Sequence, residues 1–174
     1  QTGAISPVSR LFENFRSTVS SLDAFRSWVR GATYGDWCIY HVGNLSADRA
    51  ASIELNRLAE MAMLLAELGI INSTQSRLNL AAGAQQIYQA TRTMQRHPPR
   101  ALVMGEISAT DYRALQALST RQASVSVTRT IRDAACVSER TAMDIADRFK
   151  AEALLEPQEP KGWKITDRAL EVLR

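Results

Sequence analysis

The sequence has few of the residues that mark secreted, membrane or disulfide-rich proteins. Its two cysteines, Cys38 and Cys136, stand far apart and form no CxxC pair, so we expect free thiols in a reducing cytosol. No apolar run approaches the roughly 18 residues that are needed to cross a bilayer. The start, QTGAISPVSR, lacks the charged-then-apolar layout of a signal peptide. The sequence therefore predicts a cytoplasmic protein without a membrane partner.

The motifs of common enzymes are missing as well. The chain contains no GxGxxG, GxxxxGK[ST] or GxSxG sequence, which removes the usual signatures of dinucleotide binding, P-loop nucleotide binding and α/β hydrolases. Neither His41 nor His97 has a cysteine or acidic partner at a metal-ligand spacing. We therefore expect no enzyme activity, no cofactor and no metal site.

Lysine is scarce and the charge is unevenly spread. Three lysines stand against 18 arginines, and the net charge is +3. No acidic residue occurs between Glu67 and Glu106, a stretch with four arginines, whereas residues 36–69 carry five carboxylates and two arginines. Arginine suits bidentate pairing with phosphate or guanine, and one-sided charge creates an oriented field. An ordinary solvated surface is the alternative explanation for each cluster.

The length and composition fit an ordinary globular protein. A chain of 174 residues, 45% hydrophobic and 22% charged, suits one medium domain or two small ones. The best boundary is at Pro98 and Pro99, which cannot continue a helix. We predict an N-terminal domain over residues 1–96, a linker over 97–106 and a C-terminal domain over 107–174.

The N-terminal domain follows the order helix, strand, helix, hairpin. Apolar residues recur at helical spacing before residue 20, over 22–30 and over 45–68, where a break near Ala50 is expected. Residues 36–42 are aromatic and β-branched, which predicts a strand. Polar–apolar alternation on both sides of NLAAGA predicts a hairpin within residues 70–93.

The C-terminal domain shows a clearer helical pattern. Helices are predicted over residues 110–119 and 127–135, and Ser138 is placed to cap a third one with an apolar stripe. Two short strands follow, the first starting at Leu154 and the second being WKI, with prolines and a glycine between them. Thr166 is then expected to cap a last helix.

Residues 107–174 resemble a winged helix-turn-helix domain of the MarR-like branch. The residues that carry the resemblance are TIRDAACVSERTAMDIADRFKAEALLEP and KGWKITDRALEVL. The resemblance implies a mainly α fold with small β-hairpins (α+β), binding to double-stranded DNA, and a homodimer formed through N-terminal helices. The order of elements in the first half also fits a second, degenerate winged helix, which would make the protein a tandem winged-helix protein.

The resemblance also implies which residues contact DNA. Residues at the start of the third helix would reach base edges, the wing would contact phosphates, and arginines of the second helix would lie near a backbone crossing. From the residues themselves, the arginines of the N-terminal hairpin would contact phosphates without selecting sequence. The candidate DNA-binding residues are Arg77, Arg92, Arg129, Arg132, Ser138, Arg140, Thr141, Asp144, Arg148, Lys161 and Lys164.

These observations favour a sequence-specific transcription regulator but leave two alternatives open. The predicted third helix carries Glu139, Asp144 and Asp147 beside its arginines, and carboxylates repel phosphate. A winged-helix adaptor that binds a protein partner through the acidic surface of residues 36–69 or of the C-terminal helix is one alternative. A DNA-binding factor of replication or partition is the other.

Overall fold

A computed structural model describes residues 18–80, 83–94, 97–120, 126–158 and 162–174. Within these residues the chain is α+β, with eight helices and two small antiparallel sheets. It divides into two compact units, Gln1–Pro98 and Pro99–Arg174, so the division falls inside the predicted linker. No helix of the described segments combines the length and apolarity that crossing a membrane requires.

The N-terminal unit alternates helices with the strands of one sheet. Its elements are α1 (Leu22–Gly31), β1 (Trp37–Val42), α2 (Leu45–Ala51), α3 (Ile53–Glu67), β2 (Ile71–Leu80) and β3 (Gly83–Arg92). The three strands are antiparallel and lie in the order β1-β3-β2. The predicted strand and hairpin are thus confirmed, and most of the helical pattern before residue 20 lies outside the described residues.

The long helical pattern over residues 45–68 is divided as expected, slightly later than Ala50. Ser52 has an extended backbone, and its hydroxyl accepts the N–H of Leu55 at 3.2 Å, which starts α3 anew. The hairpin strands run further than the sequence pattern suggested, since Leu80 pairs with Gly83 inside the predicted NLAAGA loop.

The core of the N-terminal unit lies between the helices and the sheet. Phe25 of α1 is fully buried, and its ring lies 5.7 Å from that of Trp28 and 5.8 Å from that of Tyr40. Leu58 and Leu65 of α3 are buried to the same degree. Burying an apolar side chain of this size contributes roughly 1.5–3 kcal/mol, so the apolar stripes of the two helices account for the packing.

The C-terminal unit contains more helix and only a two-stranded hairpin. Its elements are α4 (Arg100–Met104), α5 (Ala109–Thr120), α6 (Val127–Ala135), α7 (Glu139–Ala151), β4 (Leu155–Pro157), β5 (Trp163–Ile165) and α8 (Asp167–Val172). The strands β4 and β5 are antiparallel. The predicted helices and strands of this half are all confirmed, with ends that differ by one or two residues.

The predicted linker is wrong at α4. Ala101, Leu102 and Val103 are buried, so this short helix belongs to the core of the C-terminal unit. Pro99 precedes its first residue, and Gly105 ends it with a left-handed φ of 78°. Five residues are too few to show a helical period, which is why the sequence pattern did not indicate a helix here.

Candidate nucleic-acid interface

The turn between α6 and α7 has a fixed geometry. Cys136 adopts a left-handed φ of 52°, which is uncommon for a residue with a side chain, and its N–H donates to the carbonyl of Arg132. Ser138 is extended and caps α7, since its hydroxyl accepts the N–H of Thr141 at 3.2 Å and meets the Thr141 hydroxyl at 2.8 Å. Ile145 and Phe149 then anchor α7 in the core, so the start of this helix is held in position.

The outer surface of α7 carries mixed charge. Arg140, Met143, Asp144 and Asp147 are exposed and lie opposite the buried stripe of the helix. Within the described residues Arg140 has no hydrogen-bond or ion-pair partner. One guanidinium beside two carboxylates cannot supply strong attraction to a polyanion, but it can make a selective contact. The hydroxyl of Thr141, by contrast, is already engaged by the cap.

The two candidate arginines of α6 share one carboxylate. Arg132 donates through Nε and Nη2 to Asp133 Oδ1 at 3.1 and 3.0 Å, and Arg129 Nε lies 3.8 Å from the other Asp133 oxygen. Exposed pairs of this kind contribute about 0–1 kcal/mol, so a phosphate could displace the carboxylate. The pair of arginines nevertheless presents only one net positive charge.

Arg148 contacts a neighbouring helix. Its Nη2 donates to Asp111 of α5, whose side chain is only 15% exposed. This ion pair ties α7 to α5 at the end opposite Arg140. We therefore assign Arg148 a role in holding the two helices together and give this role priority over the predicted contact with DNA.

The cations of the β4–β5 hairpin also have acidic neighbours. Lys164 faces Glu156 across the hairpin, and the two side chains meet at 2.8 Å. This hydrogen bond raises the pKa of Lys164. Lys161, the other predicted contact of this hairpin, lies outside the described residues.

The N-terminal hairpin separates its two candidate arginines. Arg77 is exposed and pairs in register with Gln86, whereas Arg92 is 7% exposed and pairs with Ile71 at the base. Arg92 Nη1 donates to the Ile70 carbonyl at 2.7 Å, and burial lowers the pKa of the guanidinium. The prediction that Arg92 contacts phosphates is therefore wrong, because its side chain faces the interior of the unit.

The outer half of the same hairpin projects from the sheet. Toward the tip of the hairpin, Ile87 is the outermost residue of β3 that pairs with β1, and it lies opposite Ser76 of β2. The four residues from Arg77 to Leu80 therefore extend about 13 Å beyond the Ile87–Ser76 pair. Arg77 has no charged or hydrogen-bonding side-chain partner in the described chain. Exposed amide and hydroxyl groups surround it, which leaves a projecting, neutral-to-basic surface.

The acidic surface of residues 36–69 is largely used within its own unit. Glu54 Oε1 accepts the N–H of Leu22 at the start of α1, at 2.9 Å. Other carboxylates of this stretch also contact nearby groups: Asp36 with Thr33, Asp48 with His41 and Glu60 with Arg49. Because these carboxylates hold turns and helices in place, the surface offers less free negative charge than the sequence suggests.

Sequence reasoning missed the outer side of α3. Ile53 is 75% exposed and Met63 is 49% exposed, although both belong to a helix otherwise rich in core residues. Arg49 of α2 lies against this side, since its Nε donates to Asn56 Oδ1 at 2.8 Å. The side therefore combines apolar residues with mixed charge, since Arg57, one turn from Ile53, is exposed as are Glu54 and Glu67.

No protein-family model, curated protein or solved structure matches the chain. Among the residues that the structure describes, no group of three His, Cys, Asp or Glu side chains is suited to hold a metal ion. The geometry of α6, α7 and the two hairpins is thus what bears on function.

Proposed function

We propose that the protein binds double-stranded DNA as a sequence-specific transcription regulator built from two winged helices. The observation that carries the proposal is the α6–α7 turn, which fixes the start of α7 and leaves Arg140 exposed, with no partner among the described residues. In a helix-turn-helix the residues near the start of the second helix contact base edges in the major groove. The hairpin β4–β5 follows α7 in the order of a winged domain.

The N-terminal unit supports the tandem arrangement through its topology. Helix, strand, two helices and a hairpin, with sheet order β1-β3-β2, are the order of a winged helix. The outer side of α3 combines exposed apolar residues with mixed charge, and we assign no base contact to it. The projecting hairpin with Arg77 is the better candidate for phosphate contact in this unit.

The two arginines have different roles in this proposal. Arg140 can pair in bidentate fashion with guanine O6 and N7, and Asp144, one turn later, can accept a hydrogen bond from cytosine N4. Arg77 contributes a phosphate contact that does not depend on sequence. Selectivity would therefore come from α7 and much of the general attraction from the N-terminal hairpin.

The test compares wild-type protein with Arg140→Ala and Arg168→Ala. A duplex from an unbiased binding-site selection and a scrambled duplex are titrated by fluorescence anisotropy at low salt. Losing a bidentate base contact costs about 1–3 kcal/mol of discrimination, so Arg140→Ala should reduce the ratio of the two affinities at least fivefold. Arg168, on α8, is exposed and its replacement removes the same charge, so that variant should keep the ratio. Absence of binding to any duplex at low salt would overturn the proposal.

One observation favours a second candidate, a protein-interaction module. Ile53 and Met63 expose apolar surface on the outer side of α3, beside Glu67. If this candidate is right, Ile53→Ser and Met63→Ser abolish binding of a protein partner and leave duplex binding unchanged. Pull-downs performed with nuclease distinguish the two, because partners held only through DNA are then lost.

A further inference from the structure

The strand β2 forms an edge of its sheet, and its outward backbone groups can be identified. The N–H of Arg92 donates to the Asp36 carbonyl at 2.8 Å, and the Gln86 carbonyl accepts the N–H of Gly43 at 2.9 Å. These two residues of β3 therefore direct their backbone groups toward the β1 side. In an antiparallel ladder, their partners on β2 must direct theirs away from β3.

The partners are Ile71, opposite Arg92, and Arg77, opposite Gln86. Because the direction alternates along a strand, Ser73 and Gln75 also direct their N–H and C=O groups outward. No hydrogen bond from another segment of the described chain reaches the backbone of Ser73, Gln75 or Arg77. As far as the described residues extend, the outer edge of β2 is therefore open over at least five residues.

This edge lacks the features that usually prevent strands from pairing. The register of β2 with β3 runs without a bulge from Ile71 to Leu80, and β2 contains no proline and no lysine. The side chains from Asn72 to Arg77 are all exposed, and Arg77 is the only charged one. Natural edge strands are normally short, bulged, covered or rich in charge, so a long and nearly neutral edge indicates a strand partner.

We propose that β2 pairs with β2 of a second copy of this chain, antiparallel and with the twofold axis at Gln75. In this register Ser73 of one copy faces Arg77 of the other, so the arginines do not face each other. Neutral hydrogen-bonding side chains then lie opposite one another along the strand, a favourable type of cross-strand pair. Because β2 contains no carboxylate, it has no charge that would favour a basic strand as its partner. A second copy of β2, by contrast, offers the neutral side chains that this pairing brings together.

The pairing has a consequence for the exposed charge. In the continuous sheet of two copies, both Arg77 side chains lie on the same face, roughly 14 Å apart. A strand pair alone covers less than the standard interface of about 1,600 Å², so we expect a dimer that dissociates on dilution in the micromolar range. The dimer does not depend on the proposed DNA binding, and its test uses no nucleic acid.

Disulfide trapping tests the register. The full chain carries Cys136→Ser, which removes the exposed thiol and leaves the buried one, together with either Gln75→Cys or Asn79→Cys. Residues facing each other in a hydrogen-bonded pair have Cα atoms about 5.5 Å apart, which a disulfide can bridge. Two copies of residue 79 would lie roughly 27 Å apart. We expect a covalent dimer from Gln75→Cys alone; equal trapping of both variants, or of neither, would overturn the proposal.

A backbone variant tests the edge itself. Gln75→Pro removes an outward N–H that takes no part in the β2–β3 ladder, so the unit should keep its fold, which circular dichroism checks. Gln75→Ala removes the same side chain and keeps the N–H. Analytical ultracentrifugation over a range of concentrations should show dimers for wild type and Gln75→Ala and monomers for Gln75→Pro. Wild-type protein that stays monomeric throughout, or a Gln75→Pro variant that dimerises like Gln75→Ala, would contradict the edge pairing.

Discussion

Arg77 and Arg92 belong to the same hairpin but have opposite environments. Arg77 is exposed near the tip, whereas Arg92 is buried at the base and donates to the Ile70 carbonyl. A buried guanidinium is tolerated only when it is hydrogen-bonded, so Arg92 contributes to stability. An exposed arginine without a partner contributes little to stability and remains available to a ligand.

We predict that Arg92→Ala and Arg77→Ala affect stability very differently. Arg92→Ala removes one donor to the Ile70 carbonyl, which also accepts from Thr93, and leaves a cavity, so it should lower the free energy of unfolding by about 2–4 kcal/mol. Arg77→Ala should change it by less than about 0.5 kcal/mol. Urea unfolding followed by tryptophan fluorescence measures both. Equal losses would show that the two side chains do not differ in burial as described.

The two cysteines should differ in reactivity by the same reasoning. Cys136 is exposed in the α6–α7 turn, whereas Cys38 is buried in β1, and burial raises the pKa of Cys38 to about 12. Only the thiolate reacts with iodoacetamide. At pH 8 the folded protein should therefore be alkylated at Cys136 alone, and Cys38 should react only after urea unfolding. Peptide mass spectrometry identifies the labelled residue, and rapid labelling of Cys38 in the folded protein would refute its burial.

The partners of single residues could be predicted only when they are close in sequence. Arg132 and Asp133 are adjacent, and their pairing was accessible from the sequence. The pairing of Arg148 with Asp111 joins residues 37 positions apart on two helices, and no periodicity indicates it. The same holds for Arg92, whose burial follows from the register of the hairpin with the rest of the unit.

At the scale of elements, the sequence predicted most helices and strands because their signals are local. Ser52, Ser138 and Thr166 each cap a helix through the side chain, as residues of this type commonly do. The failures have a shared cause. The strand ends in NLAAGA are stabilised by pairing across the hairpin, and α4 is stabilised by burial in the core. Neither effect leaves a local pattern.

We predict that the cap of α7 stabilises the C-terminal unit measurably. Ser138→Ala leaves the N–H of Thr141 without its acceptor and should cost about 1 kcal/mol of unfolding free energy. Ser138→Asp restores an acceptor and adds a negative charge at the positive end of the helix, so it should recover most of the loss. Hydrogen exchange of the α7 amides measures the effect. If both variants behave alike, the hydroxyl of Ser138 does not cap the helix.

At the scale of the whole molecule, the number of basic side chains exceeds the number whose charge is available to a ligand. The sequence supplies 21 basic and 18 acidic side chains, and sequence reasoning correctly picked out exposed residue types such as Arg140 and Arg77. It could not show that Arg148 and Lys164 each have a carboxylate neighbour, because those neighbours follow from tertiary packing and register. Together with Asp133, which is local to Arg129 and Arg132, they reduce the net positive field that a polyanion would meet.

The salt dependence of duplex binding should reflect this difference. Each phosphate neutralised by a cation contributes a slope of about −0.9 to the logarithm of affinity against the logarithm of salt concentration. Arg77→Ala should therefore flatten the slope by about 0.9, since no carboxylate of the described residues pairs with Arg77. Lys164→Ala should flatten it less, because Glu156 lies 2.8 Å from the lysine and is itself repelled by phosphate. Titrations of one duplex over several salt concentrations measure both slopes. If Lys164→Ala flattens the slope as much as Arg77→Ala does, the C-terminal hairpin contacts phosphates directly, and the N-terminal hairpin cannot be assigned the larger share of the attraction.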